Sequence, residues 1–163
     1  LIAKTKRPWT EGSILAAVDV GNSSAEHKAL HANLISNAHE VAAIAKATLH
    51  VFTAHPSPML SASDPTFQLR ETIETRYREQ CEKFVKEFEL EDGQRQGKEG
   101  TADVLMAKEL DAVVTVIGTV ARTGLSGALI GNTAEVVLDA VETDVLVLKP
   151  EHVMAHLETL IEH

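Results

Sequence analysis

A chain of 163 residues, 44% of them hydrophobic, is the length of one ordinary globular domain with enough apolar material for a core. Its net charge of −9, from 15 Lys and Arg against 24 Asp and Glu, comes with one Trp and one Tyr. It therefore lacks the clustered cations and stacking platforms that nucleic-acid binding needs. No apolar run reaches the ~20 residues of a membrane helix, no basic-then-apolar leader is present, and the lone Cys81 cannot form an internal disulfide, so a cytoplasmic protein with no membrane partner is expected.

Leu1-Ile2-Ala3-Lys4, followed by Lys6-Arg7-Pro8, is similar to Val147-Leu148-Lys149-Pro150. Residues 1–11 are accordingly read as the remnant of a preceding domain's last strand plus a linker. The main domain then spans 12–150, with a tail at 151–163. Ile14 to Val20 is an almost wholly apolar run ended by Gly21-Asn22, as expected of a strand buried on both faces of a parallel sheet. Ser23 and Glu26 have capping-box spacing, and Leu30, Leu34, Val41 and Ala45 carry a helical stripe to about Lys46. A second strand covers Thr48 to Ala54. The stretch from His55-Pro56-Ser57-Pro58 through Asp64-Pro65 is loop, because its prolines remove donors and fix φ.

From Phe67 onward, Leu69, Ile73, Tyr77, Cys81, Phe84 and Phe88 recur at helical spacing on a long helix with one apolar face. Gln94 to Gly97 stands where the alternation of strands and helices requires a strand, yet it has no apolar residue and is at most a solvated edge strand. A short helix near Thr101 to Leu110 precedes Ala112 to Gly118, the run richest in β-branched residues. The loop Thr119 to Gly127 leads to a helix with Ala134, Val137, Leu138 and Val141 on one face, Asn132 as cap and Glu135 as reciprocal acceptor. Asp144 to Pro150 is the last strand, and Val153, Leu157, Leu160 and Ile161 give the tail a helical spacing. The fold class is α/β: an open five-stranded parallel sheet, Rossmann-like, with helices on both faces and a ligand crevice at the strand C-termini where the strand order reverses.

One stretch carries a specific signal. Gly118 ends a central strand, and Gly131-Asn132-Thr133 opens a helix, where free backbone N–H groups and the helix dipole favour an anion such as a phosphate. Gly118-Thr119-Val120-Ala121-Arg122-Thr123-Gly124 and Gly131-Asn132-Thr133-Ala134-Glu135, with Leu15 to Val20 upstream and Asp144 to Pro150 downstream, resemble the universal stress protein family over about residues 12 to 150. With Pro8-Trp9-Thr10-Glu11-Gly12, the likeness is greatest to the second domain of the tandem E-type members.

The resemblance implies the adenine nucleotide alpha hydrolase-like fold of that family. It also implies a stress-response binding and signalling module, and pairing as a homodimer, or as a pseudo-dimer with a sister domain, through Val145 to Leu148. In the ATP-binding branch the loop reads Gly, two residues, Gly, nine residues, Gly, then Ser or Thr; here the marked positions are Gly118, Ala121, Gly131 and Asn132, of which Ala121 and Asn132 depart. Carried over by position, Asp19 is placed on the ribose or adenine side, Val51 and Ile117 flank adenine, and Gly118, Ala121, Arg122, Gly131, Asn132 and Thr133 hold ribose and phosphates, with Mg accompanying ATP. A methyl at Ala121 costs about 1 kcal/mol or more if φ there is positive. Asn132 lacks the hydroxyl that meets a terminal phosphate or its metal.

The other chemistry-bearing residues read blandly. His27 and His31 stand four apart on a helix without a third ligand, which disfavours a metal site, and Cys81 lies in an apolar stripe. Ser126 has the spacing Gly-x-Ser-Gly rather than that of a nucleophile elbow, and no Gly-x4-Gly-Lys phosphate loop occurs. A non-enzymatic binder of a small molecule is therefore expected. The alternatives are a slow ATP hydrolase using Asp19 and Asn132, and a carrier of an apolar ligand with the Pro56 to Phe67 loop as lid.

Overall fold

The computed structural model describes residues 1–22, 24–89, 95–99, 107, 109–119 and 138–150. Five parallel strands form one sheet: β1 (Ser13–Val18), β2 (Thr48–His55), β3 (Arg95–Glu99), β4 (Ala112–Gly118) and β5 (Asp144–Leu148), in the order β3-β2-β1-β4-β5. The expected open five-stranded sheet is therefore observed, and the polar segment after residue 94 is its edge strand. Two helices are described in full, α1 (Ala25–Ala45) and α2 (Arg70–Glu87), with a single 3-10 turn at Pro65–Phe67 between β2 and α2. The segments expected as helices near 101–110 and 131–141, and the tail, lie largely or wholly outside the described residues, although residues 138–140 are helical.

Small residues in the middle of β1 let the layers close. Along one level of the sheet Val51, Ala16, Val116 and Leu146 stand side by side, and on the next Phe52, Ala17, Ile117 and Val147 do so. Successive strand residues point to opposite faces, so these two rows serve two cores. The first packs against α1 through Leu34, Ile35, Ala38 and Ala42 and against α2 through Phe84, with Cys81 and Phe88 at its margin. The second gathers Leu15, Phe52 and Ile117 with Ala107, Val141 and Val145 on the other side. Elements thus cover both faces, as an all-parallel sheet requires.

The helix boundaries differ from expectation for local reasons. The N-cap of α1 is Ser24, whose Oγ accepts from the His27 N–H at 3.4 Å, whereas Ser23 lies outside the described residues. At its other end Lys46 adopts φ 52°, with Ala47 N–H bonded to Ala42 O at 2.9 Å in a Schellman-type closure. A left-handed residue with a Cβ is strained, so Lys46→Gly is expected to raise the free energy of unfolding by about 0.5–1 kcal/mol, read from the urea midpoint at unchanged m. Helix α2 starts at Arg70 rather than near Phe67, because the prolines and the Asp64 cap on Thr66 N–H (2.9 Å) organise the preceding residues as a 3-10 turn. Leu69 consequently falls outside the helix and is exposed instead of joining the stripe, while Ile73 is fully buried.

The N-terminal segment straps the start of β5. Ile2 exchanges two backbone hydrogen bonds with Val145 in an antiparallel bridge, 2.8 and 2.9 Å. Asp144, buried, accepts from Lys4 N–H (2.7 Å), Thr5 N–H (2.8 Å), Thr5 Oγ1 (3.2 Å) and the Trp9 indole N–H (2.8 Å). Lys4 Nζ reaches the carbonyls of Leu138 and Val141 where a helix ends, which satisfies orphan acceptors with a cation. Burial alone pushes the Asp144 carboxyl up, but the donors from Thr5, Trp9 and Lys4 outweigh it and hold the group below its ordinary value.

Candidate functional site

The strand order reverses between β1 and β4, so the crevice expected of such a sheet opens between the C-terminal ends of these two strands. Ala17 and Ile117 are partners in register, which puts Val18-Asp19 beside Gly118-Thr119 at the rim. The structure therefore brings two of the sequence-predicted residues, Asp19 and Gly118, to one place. Ala121, Arg122, Gly131, Asn132 and Thr133 lie outside the described residues. Val51 and Ile117 are not brought together: Val51 is buried on the α1 and α2 side, Ile117 on the opposite side.

Gly118 has a visible packing reason. A Cβ there would stand 2.9 Å from Leu30 Cδ2, so the missing side chain lets α1 seat against β4 just below the rim. Thr119, buried, continues the backbone pairing to Leu148 O at 2.9 Å. The end of β4 is thus held by α1 at Gly118 and by β5 at Thr119.

Asp19 projects an exposed carboxylate past the end of β1. Its Oδ1 accepts from Gly21 N–H at 3.1 Å, and its carbonyl accepts from Asn22 N–H at 3.3 Å, which together shape the turn into α1. Its own N–H donates to His31 Nε2 at 3.3 Å. Because that ring nitrogen accepts, the His31 proton resides on Nδ1. His31 is buried, edge-on to the Phe84 ring at 5.6 Å and to the His27 ring at 6.2 Å. Burial pushes its pKa below the ordinary histidine value; the Asp19 and Glu87 carboxylates oppose that and His27 adds to it.

His27 is held by Ser24 Oγ at Nδ1 (2.9 Å) and by Asn22 Nδ2 at Nε2 (3.2 Å), so both its ring nitrogens are engaged. Among the described residues no group of three or more His, Cys, Asp or Glu side chains could hold a metal ion. A second contributor comes from α2. A Cβ on Gly21 would stand 2.5 Å from the Tyr77 hydroxyl and 3.2 Å from Asp19 Oδ1, so phenol and carboxylate converge over the turn. Burial, then the Asp19 charge, raises the Tyr77 pKa against the opposing pull of Arg76, and the His55 ring tilts against Tyr77 at 5.8 Å. An exposed acceptor beside a phenolic donor suits a polar ligand edge with hydroxyl or amine groups.

Tyr77 and His31 were legible only as members of helical spacings, and their convergence on Asp19 has no sequence signal at short range. The Pro56 to Phe67 loop presents Met59 and Leu60 to solvent, and Arg76 pins it by lying over the Phe67 ring at 5.2 Å. No helix among the described residues is long and apolar enough to cross a membrane.

The profile of the universal stress protein family matches residues 12–149. Universal stress protein E of Escherichia coli is 29% identical over 163 aligned positions, covering 93% of this chain and 51% of its own length. A crystal structure of a putative universal stress protein from Pseudomonas aeruginosa superposes with a TM-score of 0.82 at 62% identity, over 99% of this chain and 55% of that one. This chain therefore spans about half the length of these relatives. A universal stress protein solved in complex with cAMP has the same fold at a TM-score of 0.51 and 21% identity, over 86% of this chain and 98% of that one.

Proposed function

The chain belongs to the universal stress protein family, and from that premise we propose that it is a cytoplasmic, non-enzymatic binding and signalling module that takes an adenine nucleotide in the crevice between β1 and β4. The observation that carries this reading is the exposed Asp19 carboxylate standing at the strand-order reversal beside Gly118. Asp19 would accept from the ribose or base, with Tyr77 beside it, and the loop through Ala121, Arg122 and Gly131 to Asn132 and Thr133 would take the phosphates and Mg. A fold relative solved with cAMP supports the choice of ligand class.

The partner is a sister domain or a second copy along β5. The antiparallel bridge of Ile2 to Val145 supports this, since it is the hydrogen-bonding mode an incoming strand would extend along Leu146 to Leu148. The span of about half of the relatives' length supports a sister domain within one longer chain.

Isothermal titration of ATP with Mg tests the ligand. Wild type is expected to bind, Asp19→Ala to bind about 10- to 100-fold more weakly, as loss of a hydrogen bond to a charged group implies, and Ala121→Gly to bind more tightly. Binding undiminished in Asp19→Ala, or no heat from any of the three proteins, overturns the reading.

A further inference from the structure

The β1–α1 turn that carries Asp19 is fastened from inside the protein by a group that titrates. His31 lies behind the turn, buried, and accepts at Nε2 from the Asp19 N–H, 3.3 Å. On the same turn Asp19 Oδ1 is occupied with Gly21 N–H at 3.1 Å. We propose that His31 is a positioning residue for Asp19 and that its protonation is an acid-operated release of the turn.

A proton arriving at Nε2 converts the acceptor into a donor, and two N–H groups then face each other where one bond stood. The Asp19 carboxylate, whose charge already acts on His31, belongs to the same residue and can accept from the new N–H. Donation to that carboxylate draws it away from Gly21 N–H and from the crevice rim. The two states thus differ in which part of Asp19 the imidazole holds: the backbone amide when neutral, the carboxylate when charged.

The groups facing His31 among the described residues set the direction. Asp19 of the β1–α1 turn and Glu87 of α2 favour the charged ring, while His27 on α1 disfavours it, and the buried Phe84 ring packs edge-on against it. The balance lies with the neutral form, so the folded value sits below the unfolded one of about 6.5. For a group depressed in this way the stabilisation is complete above pH 6.5 and is lost as pH falls through the folded value. The turn is therefore latched at neutral pH and released in mild acid, whatever molecule occupies the crevice.

The experiment is NMR of the full chain without ligand from pH 7.5 to 4.5, following the ring nitrogens of His31 together with the Asp19 and Gly21 amides. The Nδ1–H tautomer is expected at pH 7.5, with the ring and both amides shifting at one common midpoint below 6.5. One pH unit below that midpoint the latched form is expected to have fallen about tenfold, to roughly a tenth of the molecules. In His31→Gln, whose amide oxygen can accept from Asp19 N–H without titrating, the Asp19 and Gly21 shifts at that midpoint are expected to vanish. Titration of His31 at or above 6.5, or amides of Asp19 and Gly21 that ignore the His31 midpoint, overturns the proposal from wild-type spectra alone. Because no ligand is present, either result is independent of whether ATP binds.

Discussion

Asp144→Ala is expected to lower the free energy of unfolding by about 3 kcal/mol, since it removes a buried charged acceptor and a hydrogen bond to a charged group is worth roughly 1.5–3 kcal/mol. The carboxylate collects two backbone amides, a threonine hydroxyl and the Trp9 indole within 3.2 Å, and the alanine variant offers these donors no acceptor of its own. Asp144→Asn retains the Oδ1 side but turns an amide N–H₂ toward the indole, so its expected loss is smaller. Urea unfolding followed by fluorescence of Trp9, the single tryptophan, reads both effects. The sign of the pH dependence follows from the depressed carboxyl. Stability from Asp144 is fully present above the unfolded value of about 3.9 and is lost as pH falls through the folded value, so the acid limb should be flatter in Asp144→Ala. A loss under 1 kcal/mol would mean that the strap is an ornament on an already complete sheet.

Phe52→Ala is expected to cost about 3–5 kcal/mol, the range for removing a buried aromatic ring from a core. Phe52 is fully buried and is the largest such side chain among the described residues. Its neighbour across β1 is Ala17, and beyond that stands Ile117, so the ring covers a span to which Ala17 contributes only a methyl. Neither strand can move inward to fill the void without breaking ladder hydrogen bonds to β1. Phe52→Leu, which keeps most of the volume, should recover more than half of the loss. Equal destabilisation by both substitutions would show that ring shape, and not cavity volume, governs this face.

The strands of the sheet were legible where burial on both faces writes a continuous apolar run, as in Leu15-Ala16-Ala17-Val18 and Val113-Val114-Thr115-Val116-Ile117. Residues 95–99 carry no such run and were legible only from their place in the alternation, because β3 is an edge strand paired on one side alone. The cap at Ser24 and the start of α2 at Arg70 were displaced by neighbours with the same chemistry, a second serine and a proline-led turn. Within the site, the position of Asp19 followed from its place at a strand end. The roles of His31 and Tyr77 did not, since one reaches Asp19 from 12 residues away and the other from a different helix. Asp144 read as the first residue of a strand; its donors come from more than 130 positions earlier, a distance that no local pattern encodes.

That separation has a consequence in time. Residues 2–9 leave the ribosome long before the residues they fasten, which lie 134 (Lys4 to Leu138) to 143 (Ile2 to Val145) positions later. At roughly 5–20 residues per second the segment waits on the order of ten seconds for Asp144 to appear. During that interval β1 and β2 can find each other with α1 between them, but Ile2 and Trp9 remain without their acceptors. Closing the strap therefore waits until β5 has been made.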